Sequence, residues 1–444
     1  MSDPSATRQG NPSSRRAFLK NSTAAIVGGT LAASLGTNRM AHAAGSDLLK
    51  VALIGCGGRG KGAAINAMRA DENVKLTVLA DAFRDQVDQT RQYLAPQLGD
   101  QFAVDDEHCF HGFDAYQNVM ETDVDVVLLC TPPHFRPAHL KAAIDAGKHV
   151  FCEKPVAVDA PGVRSVLATS ELAKQKSLSI VSGLCWRYDY GVRETVRRIK
   201  EGAIGDVVAI QENYLTGTLW HRGRDPKWSE MEYQLRNWLY FTWLSGDHIV
   251  EQHIHSLDKA LWLMDDQPPA HCFGLGGRQV RTEETWGNVF DHFAVCYEWP
   301  GGVKTFAYTR QMAGCANDVD DYVLGTEGRA ELLKHTIDSR RVCGTKDAQQ
   351  TGRPWRYRGE KPSMYDVEHR ELFAGIRSGN LINNGQYMSY STLMAILGRE
   401  ACYTGQTISW DEAMQSKVSF TPQNYQWGDV EFPEVATPGV TKFA

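Results

Sequence analysis

Three short segments of this chain of 444 residues join residue types whose spacing suits chemistry. Gly55-Cys56-Gly57-Gly58-Arg59-Gly60 fits the pattern Gly-x-Gly-x-x-Gly. There the first glycine makes a tight turn, the second lets the backbone approach a pyrophosphate, and the third lets a helix pack on its strand. Asp81 follows 21 residues after Gly60 at the end of a β-rich run, where a carboxylate accepts from ribose hydroxyls and repels a 2′-phosphate. NAD is therefore favoured, and Arg84 nearby keeps NADP as an alternative.

The second segment is double: Cys130-Thr131-Pro132-Pro133-His134 and Cys152-Glu153-Lys154-Pro155 each close an apolar run. At the carboxyl edge of a parallel sheet they border the place a nicotinamide would lie. Read alone, Glu153-Lys154-Pro155 is either a surface turn with a solvated ion pair, or a site where Lys154 positions a substrate hydroxyl and eases loss of its proton. The third segment runs from Glu251 to Asp258; on one helix Glu251, His255 and Asp258 share a face at i, i+4 and i+7. His248, Glu251, His253 and His255 are also metal-ligating types. Residues two apart on a helix diverge, however, so no metal is expected.

The elements needed to position these groups are legible as alternation. Strand-like runs at residues 50–54, 75–80, 124–130, 149–152 and 179–182 interleave with helix-like runs at 62–69, 84–94, 137–146 and 161–175, which predicts a doubly wound parallel sheet. This first domain is assigned to residues 47–182. From residue 183 to 420 the rhythm changes to longer strand-like runs with hairpin turns such as Pro300-Gly301-Gly302, predicting an α+β domain with an open, mainly antiparallel sheet. Residues 345–362 read as a polar excursion and residues 421–444 as an irregular tail.

Composition excludes other classes. With 47 basic against 53 acidic residues the formal charge is −6, too little positive charge for a nucleic-acid partner. Ten cysteines without a Cys-x-x-Cys pair, mostly in apolar runs, suggest buried free thiols. Residues 1–43 hold five basic residues and one acid, with Ser14-Arg15-Arg16-Ala17-Phe18-Leu19-Lys20 before a short apolar run and Ala41-His42-Ala43 after it. This resembles a twin-arginine export signal, with release into the periplasm or medium as a protein without a stable membrane span.

The glycine motif, Thr131-Pro132 with His139, Glu153-Lys154-Pro155, His255 and Asp258 together resemble the glucose-fructose oxidoreductase, inositol dehydrogenase and rhizopine-catabolism family (Gfo/Idh/MocA). The resemblance runs from about residue 49 to 411. It implies a Rossmann domain joined to an α+β domain whose open sheet often forms an interface, hence a homodimer or homotetramer, and a reaction at a secondary hydroxyl of a sugar, glycoside or cyclitol. It further implies cofactor contacts from Gly55, Gly57, Gly58, Arg59, Gly60, Asp81, Thr131, Pro132, His134, His139, Glu153 and Lys154. His255 takes the place of the family's general acid/base, Asp258 would hold its imidazole, and Lys154 and Glu251 complete the catalytic set. Arg187 and Tyr188 fall in a segment that lines the family's substrate pocket, and Trp243 belongs to an aromatic stretch of the kind that stacks on pyranose faces. Glu251 and His253 depart from the family's usual aspartate and glycine. Export implies a tightly bound cofactor, recycled by a second substrate or within one redox-neutral cycle, as in NAD-dependent glycosidases. A cofactor-loaded binding protein without turnover is the alternative from outside enzymology.

Overall fold

The computed structural model describes residues 47–339, 354–431 and 434–443. The export segment and the first part of the polar excursion lie outside the described residues. Strands β1 (Leu49–Ile54), β2 (Val74–Asp81), β3 (Cys109–His111), β4 (Val126–Leu129), β5 (His149–Cys152) and β6 (Ile180–Ser182) form a parallel sheet in the order β3-β2-β1-β4-β5-β6. Val126 to Leu129 are buried throughout and β1 nearly so, as expected of strands covered on both faces. The covering helices are α1 (Gly58–Ala70), α2 (Arg84–Leu98), α3 (Ala115–Met120), α4 (Arg136–Asp145) and α5 (Ala160–Gln175). Asp159 starts α5 by accepting the Gly162 amide at 2.8 Å, a side-chain N-cap.

After α6 (Tyr190–Lys200) the chain builds a nine-stranded sheet from β7 (Val207–Thr216), β8 (His271–Gly277), β9 (His292–Glu298), β10 (Lys304–Gln311), β11 (Asp318–Gly325), β12 (Gly328–Glu331), β13 (Thr336–Ser339), β14 (Trp355–Arg356) and β15 (Ile408–Ser409). Its pairs are antiparallel except β7 with β10. Between β7 and β8 lie α7 (Glu230–Arg236), α8 (Thr242–Ser245), α9 (His248–Glu251) and α10 (Ile254–Leu263). One helix, α11 (Met364–Ser378), returns to the first sheet: Arg377 bonds Asp71 at 2.8 Å, and Asn66 of α1 bonds Asp366 at 2.6 Å. The long α12 (Gly385–Thr404) packs on α5, α10 and β8, and α13 (Trp410–Gln415) follows. No helix among the described residues is long and apolar enough to cross a membrane.

Candidate active site

The glycine turn sits where the strand order reverses between β1 and β4, the crevice in which such sheets take ligands. Gly55 has φ +101°, and a Cβ there would meet the Cys130 carbonyl carbon at 2.5 Å, so only glycine lets the two strand ends touch. A Cβ on Gly60 would lie 1.9 Å from the Gly55 oxygen, which fixes how closely α1 lies on β1. A Cβ added at Gly57 or Gly58 would instead meet nothing within 4 Å. They border a cleft of about 420 Å³ at the amino end of α1, and that open backbone fits a pyrophosphate.

Asp81 lines the same cleft, anchored by the Cys56 amide at 2.7 Å and the Phe83 amide at 2.9 Å. Each oxygen keeps a lone pair for a ribose hydroxyl, while burial pushes the carboxyl up to about 6 against the pull of those two amides. Arg84 bonds Asp88 at 2.9 Å on the exposed face of α2 and is not among the groups bordering the cleft. Thr131, Pro132 and His139 border it. The His139 ring stacks on Tyr116 at 4.2 Å, and burial pulls its imidazole down to about 3.

At the end of β5, Lys154 turns to the second domain: Nζ donates to Glu251 Oε1 at 2.8 Å and to the Glu251 carbonyl. Both side chains are nearly covered. Glu251 Oε2 and His255 Nδ1 are buried without a hydrogen-bond partner. Burial first, then the Lys154 charge, push His255 well below the ordinary imidazole range. The cluster thus joins a cation held by a carboxylate to a neutral imidazole, the pair needed to orient a hydroxyl and take its proton. Tyr214 of β7 is nearby, its hydroxyl pushed up to about 12 by burial and by the Glu251 charge. Sequence reasoning missed it, although Glu212, Tyr214 and Thr216 alternate along one strand.

Several expected roles are corrected. Asp258 does not hold His255: its carboxylate accepts both Arg187 Nε bonds at 3.0 Å and Ser391 Oγ at 2.8 Å. Arg187 also bonds Asp266 at 2.6 Å and lies 3.8 Å over the Tyr387 ring, so it is locked in the interior and not offered to substrate. Tyr188 is buried and donates to Asn384 at 2.8 Å. Trp243 is buried too, with its indole N–H given to Gln234 at 2.7 Å. Arg59 borders the cleft, but its guanidinium is turned to Glu153 and to Glu368 of α11. Glu153, 3% exposed, therefore positions Arg59 and the Lys154 amide rather than touching a cofactor. His134 bonds the Tyr425 hydroxyl at 2.8 Å and packs edge-on to Trp243, outside the cleft lining. The single helix expected from Glu251 to Asp258 is two, α9 and α10, with Gln252 and His253 between them. His248 turns to Asp247 and His253 to Tyr214, and among the described residues no three His, Cys, Asp or Glu groups converge as a metal site.

Comparison with known proteins agrees with the fold. The profile of an oxidoreductase family with an NAD-binding Rossmann fold matches residues 49–182, and that of the GFO/IDH/MocA C-terminal domain matches residues 192–331. Among curated relatives, an inositol 2-dehydrogenase of Cereibacter sphaeroides is 25% identical over 365 residues, 81% of this chain and 94% of that one. A 2,7-anhydro-N-acetylneuraminate hydratase of Escherichia coli is 26% identical over 224 residues, 50% of this chain, and the match spans only 55% of the hydratase. The structure of a levoglucosan dehydrogenase with NADH and levoglucosan superposes with a TM-score of 0.64 at 18% identity, covering 81% of this chain and 99% of that one.

Proposed function

The chain belongs to the GFO/IDH/MocA oxidoreductase family with its NAD-binding Rossmann fold, and from that premise we propose that it is an exported enzyme that oxidises a secondary hydroxyl of a sugar, glycoside or cyclitol while keeping its NAD bound. The observation that carries this is the meeting of Lys154, Glu251 and His255 at the strand edge that also holds the glycine turn. NAD, when bound, supplies the acceptor for the hydrogen removed from carbon. Glu251 holds Lys154 aimed through the bond to its Nζ. The Lys154 ammonium orients the substrate hydroxyl and lowers its pKa, and neutral His255 takes the proton. The inositol dehydrogenase relative supports the substrate class. Export rests on the paired arginines Arg15 and Arg16, and tight retention follows from the lack of a free nicotinamide pool outside the cytoplasm.

The hydratase relative supports a second reading, in which oxidation is followed by elimination or addition and the cofactor is restored within one cycle, including the glycosidase form. One experiment serves both. The protein is purified without added cofactor, a portion is denatured and its nucleotide identified by mass spectrometry, and the rest is incubated with inositols, aldoses and aryl glycosides. Near-stoichiometric NAD with an oxidised product is expected; aglycone release without net oxidation selects the second reading; no turnover anywhere in the panel rejects both. Because burial and Lys154 disfavour the imidazolium, the acid limb of kcat/KM should lie below pH ~6.5, the free-imidazole value. A limb above that value removes His255 as the base.

The outer face of the second sheet presents Phe273, Leu275, Phe306 and Tyr308, and register aligns Phe273 with Phe306 across Cys296 and Leu275 with Tyr308 across Ala294. Such an apolar face fits a homo-oligomer interface. Leu275 is 78% exposed, so Leu275→Asp should leave the protomer's melting temperature unchanged while reducing the particle mass seen by light scattering. A wild-type monomer refutes the interface.

A further inference from the structure

We infer that Tyr425 and Trp427, in the chain's last segment, form a strap that closes the walls of the cofactor cleft and slows nucleotide release; this rests on the reading of that cleft as the NAD site. The two walls come from different parts of the chain. One is made by loops at the ends of β2, β3 and β4, which present Phe83, Phe113 and Phe135; the other is Leu235, Arg236 and Trp238, from α7 and the residues after it. The strap grips both. The Trp427 ring lies 5.2 Å from that of Phe83 and 4.6 Å from that of Phe113, while Tyr425 lies 5.7 Å from Phe135. The Tyr425 hydroxyl meets His134 Nε2 at 2.8 Å, which ties the strap to the β4 loop. On the other wall, the Gly428 carbonyl accepts the Met231 amide of α7 at 3.0 Å.

Neither strap ring borders the cleft itself, so the two are positioning residues: they touch rings that line it. Phe83 shows the consequence most directly. It is sandwiched between Trp427 and the Arg236 guanidinium, 4.1 Å from its ring, and Arg236 is in turn pinned to Asp85 at 3.0 Å. Parting the walls to let a dinucleotide out must break these ring contacts and the Gly428 bond together. Trp427 packs against those rings while 47% of its own surface stays exposed.

The test uses the full chain purified with its nucleotide, transferred into excess isotopically labelled NAD, with exchange followed by mass spectrometry and the Kd of the stripped protein for NAD followed by calorimetry. Loss of the two ring contacts made by Trp427 should speed exchange by roughly tenfold in Trp427→Ala. Trp427→Phe should recover most of the difference, and the circular dichroism of both variants should match the wild type. Equal exchange rates and equal Kd in wild type and Trp427→Ala overturn the strap. A wild type that arrives without nucleotide and exchanges added NAD within seconds instead rejects tight retention; the Kd comparison then still decides the strap.

Discussion

Lys154→Met is expected to lower turnover by about 10³-fold, within the range for removing a positioned proton-handling group, while NAD stays bound. The reason for the split is geometric. Lys154 Nζ is committed to Glu251 in the second domain and does not border the cleft lined by the glycine turn and Asp81, which is proposed to hold the nucleotide. Met keeps the length of the stem and removes the charge. A complication is stability, because breaking a buried ion pair leaves Glu251 unpaired and costs about 3 kcal/mol. The double variant Lys154→Met with Glu251→Gln separates the two effects: the neutral amide needs no cation, so the melting temperature should recover while turnover does not. Turnover recovering along with stability would assign Lys154 a structural role only. A chain that merely binds and carries its cofactor would show no turnover to lose, so wild-type activity on the panel is the first comparison.

What could be read from sequence follows from how local each constraint is. The glycine turn and Asp81 are legible because sterics within one βαβ unit dictate them: Gly55 must adopt φ +101° and Gly60 must admit α1 against β1. The Lys154, Glu251 and His255 cluster was legible as residue types and not in its pairing. Helical spacing placed Glu251, His255 and Asp258 on one face, but the helix breaks at Gln252 and His253, and Asp258 is taken by Arg187. Arg187 lies in a segment 71 residues away in sequence, and no local period reports such a contact. Aromatic density misled in the same way: Trp243 joined the interior, while Trp220 and Trp238 reached the cleft. The last segment read as irregular because it has no period, yet its two rings are placed by tertiary contacts alone.

Gly60→Ala is expected to cost both fold and cofactor, and its contrast with Gly57→Ala tests where the nucleotide lies. At Gly60 a methyl group would stand 1.9 Å from the Gly55 oxygen and 3.3 Å from Leu53 Cδ1. The closest atoms are Gly55 backbone, which no side-chain rotation relieves, so α1 must lift off β1. Overpacking of this kind costs about 1–3 kcal/mol, and the amides that cradle the pyrophosphate move with the helix, so NAD affinity should fall by about 100-fold, or ~2.8 kcal/mol. Gly57 differs in both respects that matter. Its φ of −72° suits any residue, and no atom lies within 4 Å of an added Cβ. In the protein stripped of nucleotide, Gly57→Ala should therefore melt at the wild-type temperature, while NAD binding, measured by calorimetry, weakens because the methyl occupies the space the phosphates need. Gly57→Ala binding NAD as tightly as wild type would show that the open space above the turn is not the phosphate site, and the assignment of the whole cleft would fail with it.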